Sequence, residues 1–295
     1  MLKQTVFQGI VERGMVGIVR ADSPEAAVQI AEACIAGGVT ALEVAFTTPD
    51  TLGVLRTLRE RHGHDVLLLG LASRLAWYDL RSGAVTTLHV VEDELPMTRL
   101  NDGRCDRQGR FVFGTLDERA CRESIGSFYR LNLDLTLERL PLPNVAISNS
   151  ICFSVDGAAM YFCDSIKGVI WRWDDYLGGD ASQVKVFAQL AGDPGAPDGA
   201  TIDADGYLWS AQWGASRVLR FAPDGSVDRQ VTLPVSQPSC VSVGGPDYHD
   251  VFITTAQENL TSQQLAAEPQ AGGLFHARVD GVRGLAEVRF KGTPV

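Results

Sequence analysis

Two short signatures recur along most of this chain at a spacing near fifty residues, and that recurrence limits the fold more than any other property. The first is a small residue, an apolar pair, then often Arg and another apolar residue. It occurs as SRLAWYDLRSG (73–83), SFYRLNLD (127–134), GVIWRWDD (168–175), SRVLRFAPDG (216–225) and GGLFHARVDG (272–281). Aligning Tyr78, Leu131, Trp173, Phe221 and Val279 gives steps of 53, 42, 48 and 58. The second is a glycine turn followed by an alternating strand: CDRQGRFVFGT, FSVDGAAMYFCDS and IDADGYLWSAQW, with a looser copy in VGGPDYHDVFITTA. Its turn glycines, Gly109, Gly157 and Gly206, lie 48 and 49 residues apart. A strand-rich unit repeated at this interval predicts a β-propeller, each repeat supplying one blade. A β-sandwich with similar turns is the competing architecture. It is disfavoured because two separate signatures keep one spacing.

The first seventy residues follow a different period. Ser23-Pro24-Glu25 has the N-cap, first-position proline and acidic first turn of a helix start. Ala27, Ile30, Ala31 and Cys34 continue the helical spacing, and Gly37-Gly38 ends it. Thr48-Pro49-Asp50 opens a second helix through Leu52, Leu55 and Leu58. The apolar runs Met15–Val19, Ala41–Phe46 and Val66–Leu69 are expected to be parallel strands buried on both faces. The expected fold class is therefore mainly β: a partial β-propeller over residues 71–295, preceded by a short α/β segment over residues 1–70.

Composition narrows the function classes. The chain has 295 residues and a formal net charge of −10, a balance that repels phosphate backbones and argues against nucleic-acid partners. There is no run of about 18 apolar residues to cross a membrane. The opening residues lack the apolar core of a secretory signal, so a cytoplasmic location is expected. The six cysteines (Cys34, Cys105, Cys121, Cys152, Cys163 and Cys240) include no C-x-x-C pair and read as free thiols. The five histidines (His62, His64, His89, His249 and His276) have no metal-ligand spacing and read as surface or turn residues.

Residues 71–295 resemble the senescence-marker/gluconolactonase/regucalcin family of six-bladed propellers. The resemblance is carried by Arg99-Leu100-Asn101-Asp102-Gly103, Cys105-Asp106, GRFVFGT, Ile147-Ser148-Asn149-Ser150, Pro197-Asp198-Gly199, LWSAQWGASRVLRFAPDG and QAGGLFHARVDGVRG. It implies metal-dependent hydrolysis of a sugar lactone. Asn149 and Asp198 match two of the family's three ligands for one divalent cation, Ca²⁺, Mg²⁺, Mn²⁺ or Zn²⁺. Asp198 also matches the residue that helps activate water, and Arg99 and Asn101 match the substrate-binding pair. In isolation each has a plainer reading: Asp198-Gly199 is a common turn, Asn149 a turn or cap residue, Arg99 and Asn101 a surface pair. The family's first ligand, a Glu in a Gly-Glu-x-Pro segment of the first blade, has no counterpart here. An incomplete ring with open sheet edges is expected, and such edges favour self-association.

Residues 1–70 resemble the start of 2-keto-3-deoxy-6-phosphogluconate aldolases through GIVRADSPEAAVQIAEACIAGGVTALEVAFTTPD. Glu43 matches that family's acid/base glutamate. Its Schiff-base lysine lies on a later strand, whereas the lysines here are Lys3, Lys167, Lys185 and Lys291. Only Lys3 falls within the aldolase-like part, and it precedes the first strand, so Glu43 is expected to be a relic. Three functions remain in view: a lactonase, impaired by the missing Glu; a non-catalytic fusion or truncation product; and, least favoured, a bifunctional lactonase and keto-deoxy sugar acid aldolase.

Overall fold

The computed structural model describes residues 16–19, 23–25, 28, 41–44, 57, 66–79, 82–190, 192–245 and 247–293. Among them, one pair of parallel strands precedes five antiparallel sheets. The parallel pair is β1 (Val16–Val19) and β2 (Ala41–Val44), with Val16 opposite Ala41 and Val19 opposite Val44. Between them Pro24, Glu25 and Val28 are helical, as a strand–helix–strand unit requires. Thr57 is helical too; the rest of both expected helices lies outside the described residues, as do Lys3, Cys34, His62 and His64.

The third apolar run is not a parallel strand. β3 (Val66–Leu71) turns back within two residues onto β4 (Arg74–Asp79) and pairs with it antiparallel, Val66 opposite Asp79. The direction of a strand is set by its partner, and a two-residue connection permits only antiparallel pairing. β5 (Val85–Val90) completes this first sheet.

The next three sheets have four strands each. The second comprises β6 (Thr98–Cys105), β7 (Phe111–Asp117), β8 (Phe128–Leu131) and β9 (Leu137–Arg139). The third comprises β10 (Ser148–Phe153), β11 (Met160–Asp164), β12 (Val169–Trp173) and β13 (Val184–Gln189). The fourth comprises β14 (Ala196–Ile202), β15 (Leu208–Trp213), β16 (Arg217–Phe221) and β17 (Val227–Thr232). The fifth has β18 (Pro238–Gly244), β19 (Asp250–Thr255) and β20 (Leu274–Arg278).

Each sequence signature maps to one place in this repeat. The first falls on β8, β12, β16 and β20, the third strand of its sheet, and on β4. By that register β4 is also a third strand, so among the described residues the first sheet shows no innermost strand and the fifth no outermost one. The second signature is the turn between first and second strands. Gly109, Gly157 and Gly206 have φ of 90°, 73° and 84°, the left-handed conformation that only glycine adopts cheaply.

The apolar residues collect between neighbouring sheets rather than in one centre. Alternation along a strand explains this, because successive side chains point to opposite faces. On β15, Leu208 joins Tyr161, Ile170 and Phe187 of the third sheet, whereas Trp209 and Ala211 join Val241, Val251 and Ile253 of the fifth. Further clusters join the second and third sheets around Phe128, Phe162 and Trp173, and the first and second around Leu75, Phe113 and Leu131. The first strands β6, β10, β14 and β18 meet side by side, as the inner walls of propeller blades do. The chain is mainly β with a propeller architecture.

Candidate active site at the inner-strand bulges

Each inner strand is broken at the same level. Pairing slips between Leu100 and Gly103 on β6, Asn149 and Cys152 on β10, Pro197 and Ala200 on β14, and Pro238 and Cys240 on β18. A bulge re-aims side chains and frees backbone from the ladder, and bulges concentrate at functional sites. Asn101, Ser150 and Asp198 lie within these slips, and Asn149 borders one. Ser150 has φ of 58°, a strained value for a residue with a side chain. Gly199 has no such freedom to supply; a Cβ there would come within 2.5 Å of Cys240 Sγ, so glycine lets β18 close on the Asp198 bulge.

One directed chain of hydrogen bonds joins the site residues. The Arg99 guanidinium donates to Asn101 Oδ1 at 3.2 Å and forms an ion pair with Glu118. Asn101 Nδ2 donates to Asn149 Oδ1 at 3.0 Å and to Ser148 O at 2.8 Å. Asn149 Nδ2 donates to Ser165 Oγ at 3.0 Å, and the Ser165 hydroxyl donates to Pro197 O at 2.7 Å. With its one proton committed to Pro197, Ser165 can only accept from Asn149. That fixes the amide: Asn149 turns its NH₂ to Ser165 and its oxygen towards Asn101. The oxygen keeps a second lone pair.

Two more contacts lock the bulges together, and the first of them holds Asp198 beside this chain. Ser150 Oγ donates to Asp198 O at 2.6 Å, locking the β10 bulge to the β14 bulge. Asp102 Oδ2 accepts from Ile151 N at 2.8 Å, doing the same between β6 and β10. Burial raises the Asp102 carboxyl above the usual carboxylate range, against the lowering effect of its Ile151 hydrogen bond and of Arg104. The thiols of Cys152 and Cys240 are pushed by burial up to about 12, so neither supplies a thiolate at neutral pH. Among the described cysteines all are free.

The four residues picked from sequence, Arg99, Asn101, Asn149 and Asp198, thus fall on three adjacent inner strands. Asp102, Ser150 and Ser165, which hold them, were not picked, although Asp102 and Ser150 stand inside the family motifs and Ser165 ends one of the recurrent turn-and-strand signatures. Glu43 lies on β2, and its side chain is outside the described residues. Among the described residues no group of three or more His, Cys, Asp or Glu side chains gathers as a metal cluster. His89 bonds Leu135 O, His249 bonds Val282 O and His276 bonds Asp250, so the described histidines serve turns and strand pairs. No described helix is long and apolar enough to cross a membrane.

The family model for the SMP-30/gluconolactonase/LRE-like region matches residues 28–257. The chain belongs to the SMP-30/gluconolactonase/LRE-like family. The match begins within residues 1–70, and no aldolase is among the relatives described below. Among relatives in this family, an L-arabinolactonase from Azospirillum brasilense is 52% identical over 231 residues, covering 78% of this chain and 76% of that protein. A 6-deoxy-6-sulfogluconolactonase from Pseudomonas putida is 34% identical, covering 87% and 84%. Among solved structures, a calcium-binding regucalcin from Agrobacterium tumefaciens superposes with a TM-score of 0.69 at 31% identity, covering 76% of this chain and 75% of that one.

Proposed function

We propose that this chain hydrolyses a sugar lactone at the Arg99–Asn101–Asn149–Asp198 cluster with one divalent cation. The observation that carries the reading is the directed hydrogen-bond chain, which turns the Asn149 oxygen towards Asn101 and ends at Pro197 O, the residue before Asp198 on the adjacent inner strand. The similarity to an L-arabinolactonase favours a pentonolactone over a hexonolactone.

An amide oxygen and a carboxylate suit a hard cation in kind. Asn149 and Asp198 would hold it, and the bound cation would supply polarisation of the lactone carbonyl. Asp198 takes the proton of the attacking water. Arg99 presents its guanidinium to the lactone oxygens and stabilises developing negative charge; Asn101, whose two N–H groups go to Ser148 O and Asn149 Oδ1, orients that guanidinium through its own oxygen. Ser165 keeps the Asn149 oxygen pointing inward. Ser165→Ala is expected to lower kcat/KM about 2–10-fold, the worth of one net hydrogen bond, with little change in Tm. An unchanged kcat/KM would remove Ser165 from the site.

The test is hydrolysis of L-arabinono- and gluconolactones after chelation, then with Ca²⁺, Mg²⁺, Mn²⁺ or Zn²⁺ returned singly. Turnover should vanish on chelation and return with at least one cation. Affinity should be modest, since only two protein donors are identified. Turnover indifferent to chelation would reject the cation.

A second reading, a non-catalytic fusion or truncation product folded as an incomplete propeller, is favoured by the first and last sheets. Each has three described strands where the others have four. Lactone hydrolysis no faster than in buffer, from a sample that unfolds cooperatively, would favour it. The expected division is residues 1–70 against 71–295, but β3 already belongs to the first antiparallel sheet; we further infer that an aldolase-like βα fragment ends before β3 and that the propeller runs from β3 onward. The parallel β1–β2 pair supports this, because the five sheets pair only antiparallel. A relic Glu43 fits the same reading. A cytoplasmic location follows from the unpaired cysteines. β20, which among the described strands pairs only with β19 and ends its sheet, is the surface that self-association would use.

A further inference from the structure

Below the candidate site, the space between inner strands holds a charged pair that the proposed chemistry does not use. Arg104 follows Asn101 by three residues on β6. Its guanidinium donates to Ala200 O at 2.8 Å and to Thr201 Oγ1 at 3.3 Å, both on β14, and pairs with Glu287. β14 is not a neighbour of β6; β10 stands between them. A single side chain therefore reaches across from the strand carrying Arg99 and Asn101 to the strand carrying Asp198. Its anchor points, Ala200 and Thr201, are two and three residues beyond Asp198.

Glu287 comes from the C-terminal segment, which crosses the ends of the sheets away from the bulges. Gly284 N donates to Tyr248 O in the fifth sheet's turn, and Ala204 N in the fourth sheet's turn donates to Arg283 O. Leu285 packs against the cluster between the third and fourth sheets. Lys291 N donates to Gly109 O in the second sheet's turn, and Phe290 lies 5.9 Å, ring to ring, from Trp77 in the first. The segment is a strap tied to every sheet, and Glu287 is its charged contact with the interior. Burial works against the Arg104 charge more strongly than any one neighbour favours it, but Glu287 and the other acidic groups around it together more than offset burial and keep the guanidinium protonated.

We propose that Arg104 and Glu287 are positioning residues for the lactone reaction: the pair clamps β6 to β14 and sets the separation between Asn101 and Asp198. The strap supplies the counter-charge that lets an arginine stand there. This rests on the reading of the site given above. A planar fork is needed, because one group must bond two atoms of β14 and a carboxylate together; lysine is a point donor on a flexible stem. A displacement of about 1 Å at a site can cost about 100-fold in rate.

Arg104→Lys keeps the charge and is the variant best placed to fold; Glu287→Gln keeps the size and removes the counter-charge. In the full chain, each should lower kcat about 10–100-fold with KM changed less than about threefold, and the cooperative melting transition should persist. A kcat within twofold of the parent in both variants overturns the proposal, as does a loss confined to KM. Hydrogen exchange of residues 196–202 is measured on the same samples. Faster exchange in both variants is expected, and unchanged exchange overturns the clamp even if the parent chain hydrolyses no lactone. Parent inactivity with faster exchange in the variants would instead sink the reading of the site and leave the clamp.

Discussion

Replacing Asp198 with Asn should lower lactone turnover about 10²–10⁴-fold, the usual worth of a positioned general base. The substitution conserves size and keeps one side-chain oxygen for a cation. It removes the basic oxygen and the whole formal negative charge of the identified donor set, since the Asn149 amide is neutral. The contact that fastens this residue to β10 runs from Ser150 Oγ to the Asp198 backbone carbonyl, which the substitution leaves in place. Gly199, which allows the approach of β18, is likewise untouched. The fold should therefore survive, and melting curves of parent and variant should agree within a few degrees. kcat and KM on the preferred lactone, at saturating cation, check the prediction. A kcat within tenfold of the parent would mean that Asp198 is not the base.

The largest effect on stability is expected away from the site, at Asp203. This carboxylate is fully buried and fully used. One oxygen accepts from Asp205 N at 3.1 Å and Tyr207 N at 3.0 Å, closing the turn before β15. The other accepts from Trp209 Nε1 at 2.9 Å and Arg220 Nε at 2.8 Å. Arg220 is itself buried and lies over the Tyr207 ring at 3.6 Å. Asp203→Ala strips a buried cation of its main partner and leaves an indole donor and two turn amides unmatched. Breaking a buried pair from one side costs about 3–5 kcal/mol. For a chain of this size that lowers Tm by roughly 10 °C. Differential scanning calorimetry of Asp203→Ala reads it directly. A drop below about 3 °C would mean that Asp228, which also pairs with Arg220 at 2.8 Å, carries the charge alone.

Much of this architecture is written locally. The turn glycines at 109, 157 and 206 are legible because a tight turn needs a backbone conformation that other residues resist. The strands around them are legible because their side chains alternate or run apolar. Four site residues are legible because they stand in the Arg99–Gly103, Ile147–Ser150 and Pro197–Gly199 motifs that carry the family resemblance. Val66–Leu71 reads as a buried strand, but nothing within it states the direction of its partner, and β4 made it antiparallel. Ser165 is an ordinary hairpin residue in sequence. It matters because the ring brings Pro197 O and Asn149 to it from two different sheets.

By itself the amino-acid sequence determined the period of the repeat, the turns, the mainly β class and the short list of Arg99, Asn101, Asn149 and Asp198. The period, the turns and the class follow from backbone preference and side-chain alternation, which act over a few residues; the four residues follow from the motifs that carry the family resemblance. Only the tertiary structure decided that the inner-strand bulges lie side by side. Only it decided which way the Asn149 amide faces and that Arg104 meets Glu287 across 183 residues of chain. Contacts of that kind depend on the packing of whole sheets against one another, and hydrogen-bond partners brought together by that packing leave no periodic trace in either stretch of sequence.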